Sequence, residues 1–171
     1  HISAGCLGRH AYAPLVHDAF ELLLHLDEHI ALKKKIYERY RAGFKDLPVQ
    51  MNPYDEKIMS PNFWLSCLLI DEAAMCRQVR DDKQALFISE PGKTCPTEIL
   101  EALAKFNAEG RPIWKPMHLQ PIYLNNLFVA ENDGEDVGAD IFNRGLCLPS
   151  DIKMTEEQQD KIIEIIRACF E

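Results

Sequence analysis

Residues 145–170, GLCLPSDIKMTEEQQDKIIEIIRACF, decide the fold class. Gly145 to Leu148 reads as a short buried strand that stops at Pro149, because proline cannot donate to a ladder. Thr155 followed by Gln158 is a capping box, and Glu156 and Glu157 suit the positive end of the helix dipole. Ile162, Ile163, Ile165, Ile166, Cys169 and Phe170 then line the inner face of a terminal helix. A short strand that turns into an amphipathic helix is the unit of a sheet with helices packed on it.

Upstream the same alternation continues. A short helix is expected over Val137–Asn143, after an acidic loop from Ala130 to Gly138. Gln120 to Val129 is mixed in character, and Arg111 to Trp114 is extended around Pro112. A helix opens at Thr94 or Cys95 with Pro96 in its first turn. Its stripe is Ile99, Leu100, Leu103 and Phe106, and Gly110 stops it. RDDKQALFISEPGK (80–93) gives no element, only a turn at Pro91-Gly92 that is an ordinary surface turn. Asp71 is expected to cap a short helix through about Arg77. NFWLSCLLID (62–71) reads as a central strand covered on both faces, following a loop with Pro53 and Pro61. Leu23, Leu26, Ile30, Tyr37, Tyr40 and Phe44, with Lys33 in the gap, mark one long helix over Glu21–Phe44. It is longer than a small domain needs, which suits a bridge to a second domain or a partner. Residues 1–20 are irregular and lack an initiator Met, which fits a chain that begins inside a longer protein and equally fits Met removal or tag cleavage. The expected architecture is α/β, an α+β sandwich with about three short strands.

The chain of 171 residues has a formal charge of −8. Six basic residues and one acid between Lys33 and Lys45 make a local balance of +5, leaving −13 elsewhere. The stretch reads as a solvated helix face, and the acidic remainder argues against nucleic-acid binding. No apolar run approaches a membrane span, and no leader is seen. The six cysteines form no Cys-x-x-Cys pair, so neither structural zinc nor a disulfide framework is expected, and a reduced cytoplasmic setting is. Phosphate-loop, dinucleotide and metal-hydrolase motifs are absent.

RPIWKPMHLQPIY (111–123) carries the candidate chemistry. Its prolines stiffen the backbone. Arg111 and Lys115 suit phosphate or carboxylate groups, Trp114 offers a flat face, and His118 and Gln120 supply hydrogen bonds. The residues alone leave open a rigid structural connection.

The run Arg-Pro-x-x-x-Pro-x-His-x-Gln, and ADIFNRGLCLPSDIKMTEEQQDKIIEIIRACF (139–170), closely resemble the carboxyl end of the DegT/DnrJ/StrS sugar aminotransferases. LDEHIALKKKIYERY (26–40) and PNFWLSCLLID (61–71) are similar to the corresponding family segments, so the resemblance spans roughly Leu24 to Glu171. It implies the small C-terminal domain of an aspartate-aminotransferase-like fold, here residues 21–171 with the bridging helix 21–44. It further implies a cytoplasmic homodimer that uses pyridoxal phosphate to move an amino group, usually from glutamate, onto a nucleotide-linked keto sugar for polysaccharide or glycan synthesis. Substrate-side contacts fall to Arg111, Trp114, Lys115, His118 and Gln120, with His118 acting by hydrogen bonding and Arg144 structural. The family's large domain and its Schiff-base lysine are not matched, so no catalytic residue is assigned and this stretch by itself is expected to bind no cofactor. HISAGCLGRHAYAPLVHDAF (1–20) stands where relatives carry a Gly-Tyr-Asn-Tyr-Arg-like run. Rival readings are a non-enzymatic module that dimerises through the long helix, and a thiol hydrolase using Cys147 and His118.

Overall fold

The alternation of strand and helix produces a sheet with helices on one side. The structure, a computed structural model, describes residues 23–80, 85–131 and 134–171. The irregular segment expected over 1–20 lies outside the described residues. Four strands, β1 (Val49–Met51), β2 (Cys67–Ile70), β5 (Arg111–Pro112) and β6 (Gly145–Cys147), form one sheet in the order β1-β2-β6-β5. Every pairing is antiparallel, with Val49 opposite Ile70, Cys67 opposite Cys147 and Arg111 opposite Cys147 on its other side. Strands β3 (Arg77–Arg80) and β4 (Ala85–Ile88) form a separate hairpin.

Helices α1 (Leu26–Gly43), α2 (Pro96–Lys105) and α4 (Glu156–Ala168) cover one face of the sheet, and α3 (Val137–Arg144) leads into β6. The core joins Ile36, Tyr40 and Phe44 of α1 and its end, Ile99 and Leu103 of α2, and Ile162, Ile163, Ile165 and Ile166 of α4. These close on Leu68, Ile70, Leu146 and Leu148 from the sheet side. Each such side chain contributes roughly 1.5–3 kcal/mol by leaving water. The capping box at Thr155–Gln158 is formed from both directions. Cys95 is the N-cap of α2 and Pro96 its first residue, as the sequence predicts.

Several expectations change. The long helix runs Leu26–Gly43, with His25 in a turn before it, and Phe44 is its cap; positions 21–22 lie outside the described residues. The strand expected over 62–71 is confined to Cys67–Ile70, because Phe63 takes the left-handed region (φ 52) and the Asn62 side chain accepts the Trp64 N–H. It is interior to the sheet, but Leu68 and Ile70 are buried while Cys67 and Leu69 are half-buried, so one face alone is fully covered. That is the habit of an antiparallel sheet. The helix expected from Asp71 is one 3-10 turn, Glu72–Ala74, and Asp71 makes no side-chain cap. Beyond it stands the β3–β4 hairpin, which lacks a buried apolar face and so leaves no alternating signal. Helix α2 ends at Lys105, before Gly110; Phe106 is its cap and Asn107 turns the chain out with φ 58.

Gly145 is demanded by space. A Cβ there would sit 2.5 Å from the Ile141 carbonyl and 2.9 Å from the Ile113 side chain. Gly145→Ala is therefore expected to lose roughly 1–3 kcal/mol or more, since backbone cannot move aside cheaply. Thr155→Ala, which removes one half of a surface cap, should lose about 1 kcal/mol. Urea unfolding midpoints of the two variants against the parent measure both.

Candidate functional site

The stiff segment after β5 is pinned at one end by the pairing of Arg111 and Pro112 with β6. It then crosses the surface and folds into 3-10 turns at Met117–Leu119 and Pro121–Tyr123. The structure distributes its five candidate residues rather than gathering them. Arg111 lines a groove of about 390 Å³ with His29 and Lys33 of α1, Trp64, Cys147 and the 148–152 turn. Trp114 leans against Trp64, ring centroids 6.0 Å apart, and both indoles are 64% exposed. Lys115 lines a second groove, of about 430 Å³, beside Arg80, Thr97, Glu101 and Phe142. His118 is held at 2.6 Å by Asp136 and stacks on Phe128. The Gln120 amide donates back to the Lys115 carbonyl at 3.4 Å, so it braces the segment.

Arg111 is held by Glu109 at 2.8 Å, a pair in which both side chains are three-quarters exposed. Such a surface pair is worth ~0–1 kcal/mol, so Glu109 yields readily to another anion. Lys33 behaves differently. Its ammonium donates to the Trp64 carbonyl at 3.3 Å and to the Ser150 carbonyl, tying α1 to both loops of the groove. Partial burial pulls its pKa down, opposed by the nearby Asp151 charge. Opposite Arg111 across β6, the Cys67 and Cys147 sulfurs lie 3.8 Å apart. The contact with Cys147 holds the pKa of the Cys67 thiol well above its usual range, and burial adds to this. Cys147 thus meets Cys67, and His118 meets Asp136; the hydrolase dyad is not among the hydrogen bonds of the described residues.

Lys33, His29 and Trp64 escape a sequence reading. Lys33 did leave a signal: a lysine on the apolar stripe, where leucine would be the ordinary occupant. Trp64 gave none, because its outward turn depends on the backbone of Phe63. Arg144 is structural. It donates to the Ile70 carbonyl at 2.6 Å and pairs with Asp140, holding α3 against the end of β2.

The profile of the DegT/DnrJ/EryC1/StrS aminotransferase family matches residues 19–167. This chain belongs to that family. A Bacillus subtilis (strain 168) protein named as a pyridoxal phosphate-dependent aminotransferase, EpsN, is 33% identical over 146 residues, covering 85% of this chain and 32% of EpsN. A DegT DnrJ EryC1 StrS aminotransferase from Brucella abortus superposes with a TM-score of 0.65 at 22% identity, over 88% of this chain and 34% of that one. DesI, solved in the presence of its TDP-sugar product, gives a TM-score of 0.64 at 19% identity, over 86% and 32%. The chain spans about a third of the length of these relatives. The α/β reading and the family resemblance both hold. No helix among the described residues is long and apolar enough to cross a membrane.

Enzymes of this family use pyridoxal phosphate, whose aldehyde needs an unengaged, desolvated amine. The described residues do not fit that demand at the groove, where the amine of Lys33 is committed to two carbonyls.

The Asp136 carboxyl is held below the ordinary carboxylate range, first by the Ala139 N–H and then by His118. A carboxylate depressed in the fold stabilises above its unfolded pKa and loses that contribution as pH falls through the folded value. The His118–Asp136–α3 junction should therefore loosen below about pH 4. The Ala139 amide resonance, followed by NMR on acidification, should move as its bond to the Asp136 carboxylate is lost, and Asp136→Ala should show the loosened position already at neutral pH.

Proposed function

We propose that residues 21–171 are the small carboxyl-terminal lobe of a pyridoxal phosphate-dependent aminotransferase acting on a nucleotide-linked keto sugar, with glutamate as the amino donor. The single observation that carries the substrate side is the groove lined by Cys147 of β6, Arg111, Lys33 and Trp64, with Trp114 leaning on Trp64 beside it. Two indoles left mostly in water offer apolar faces suited to a sugar ring or a base. Arg111, loosely held by Glu109, can exchange it for a diphosphate oxygen through paired N–H groups. Lys33 serves as the pin that keeps α1 at the groove wall. Lys115 offers charge to the second groove, His118 acts through hydrogen bonding, and Gln120 keeps the segment in shape. The TDP-sugar product of DesI, a protein of the same fold, supports a nucleotide sugar as ligand class.

On this reading the reactive amine lies outside the described residues, on a larger lobe. The working enzyme is a cytoplasmic homodimer that serves polysaccharide or glycan synthesis. The family match disfavours an interaction-only module.

The test uses the complete reading frame that contains this chain, loaded with pyridoxal phosphate and given glutamate with a panel of nucleotide-linked keto sugars. Formation of an amino sugar is expected. Arg111→Ala should raise KM about tenfold to a hundredfold with little change in kcat, as loss of a charged hydrogen bond of roughly 1.5–3 kcal/mol implies. No transfer to any keto sugar would overturn the reading. Of the two tryptophans of the chain, Trp64 lines this groove and Trp114 leans on Trp64, so their fluorescence reads its occupancy. Titration with a nucleoside diphosphate hexose should quench it, and Trp114→Phe should diminish that response.

A further inference from the structure

Away from the groove, the fold assembles a second cluster that the spacing of its residues conceals. Cys76 immediately precedes β3, Cys95 caps α2, and Glu98 lies in the first turn of α2. Their ligand atoms all lie within 4.8 Å of one another. Both cysteines are buried, at 3% and 0% exposure. The backbone sets the approach: the Cys76 N–H donates to the Thr94 carbonyl at 2.9 Å, and the Thr94 N–H to the Ala74 carbonyl at 3.0 Å.

We propose that Cys76, Cys95 and Glu98 form a binding site for a soft divalent cation of the zinc type, which would tie the β3–β4 hairpin to the start of α2. Two sulfur ligands select zinc or cadmium over magnesium or calcium, which demand oxygen shells. The carboxylate is already oriented for the task. Ser89 donates to one Glu98 oxygen at 2.7 Å and Thr94 to the other at 2.9 Å. Outer hydroxyls of this sort fix a ligating carboxylate and tune its basicity. A path for the ion exists, because Glu98 lines an open groove of about 600 Å³ between α2 and α4, beside Ser89, Lys161 and Cys169. The site has three protein ligands, which leaves the fourth tetrahedral position to water or an added ligand. The absence of Cys-x-x-Cys argued against zinc, yet the chain returns through the hairpin and brings Cys95 back to Cys76.

The experiment titrates the 171-residue chain with Cd²⁺ under a non-thiol reductant and follows the thiolate-to-cadmium ultraviolet band. Saturation at one ion per chain is expected, with the band unchanged in a Cys67→Ser/Cys147→Ser variant. Cys76→Ser and Cys95→Ser should each abolish stoichiometric binding, and Glu98→Gln should weaken it about tenfold or more. No band, or a band that survives in Cys76→Ser/Cys95→Ser, overturns the proposal. Should those serine variants fail to fold, alkylation of the parent chain decides. In moderate urea, which opens the buried thiols to reagent, Zn²⁺ should slow alkylation of Cys76 and Cys95, mapped by mass spectrometry, and leave the rates at Cys67 and Cys147 unchanged; equal rates at Cys76 and Cys95 with and without Zn²⁺ overturn it.

Discussion

The structure depends on how α1 is fastened to the turn after β6. Tyr40 sits fully buried in the core, and its hydroxyl donates to the Pro149 carbonyl at 2.8 Å. Two helical turns earlier, Lys33 donates to the adjacent Ser150 carbonyl. A buried carbonyl without a partner costs about 1–3 kcal/mol, so these two donors make one geometry of helix and turn preferable to its neighbours. Burial raises the Tyr40 hydroxyl pKa far above its ordinary value, so it remains a donor at any physiological pH. The other side of the helix is held by α4, where Gln159 donates to the Ile36 carbonyl at 2.8 Å and Arg39 pairs with Glu156 and Asp160.

From that junction the groove follows. With α1 anchored, His29 and Lys33 stand over the edge where β5 joins β6, and Arg111 faces them from the sheet. The sheet is antiparallel throughout and carries its helices on one side, which leaves its other surface to Cys67, Cys147 and the tryptophans. A lobe with one face buried in its own core and the other carrying exposed indoles and a loosely held arginine suits a wall of a cleft better than a self-sufficient catalyst. The same economy explains why the proline-stiffened segment divides its residues. His118, Gln120 and the turns hold the frame, and Arg111 and Trp114 reach the solvent.

Much was legible in the chain alone because much of the fold is local. The capping box at Thr155, Pro96 at the start of α2, the strand at Gly145 and the period of Ile162 to Ile166 are short-range devices, and each specifies its own element. The family likewise shows through motif residues whose spacing is bound to backbone geometry, whereas the antiparallel pairing of the strands, which leaves one face of β2 only half-covered, did not. The β3–β4 hairpin left no trace, because its strands bury neither face and exposed residues carry no period.

What only the tertiary structure decided are the meetings of residues far apart in the chain. Lys33 looked like a gap in an apolar stripe until Ser150 gave it a partner. Trp64 looked like part of a buried strand until the φ of Phe63 turned it toward Trp114. Cys76 and Cys95 looked like isolated thiols until the hairpin folded back. A helix or a cap is encoded by neighbours within a turn of one another, so sequence alone determines it. A contact between segments is set by the packing of the whole core, and no local pattern records its outcome.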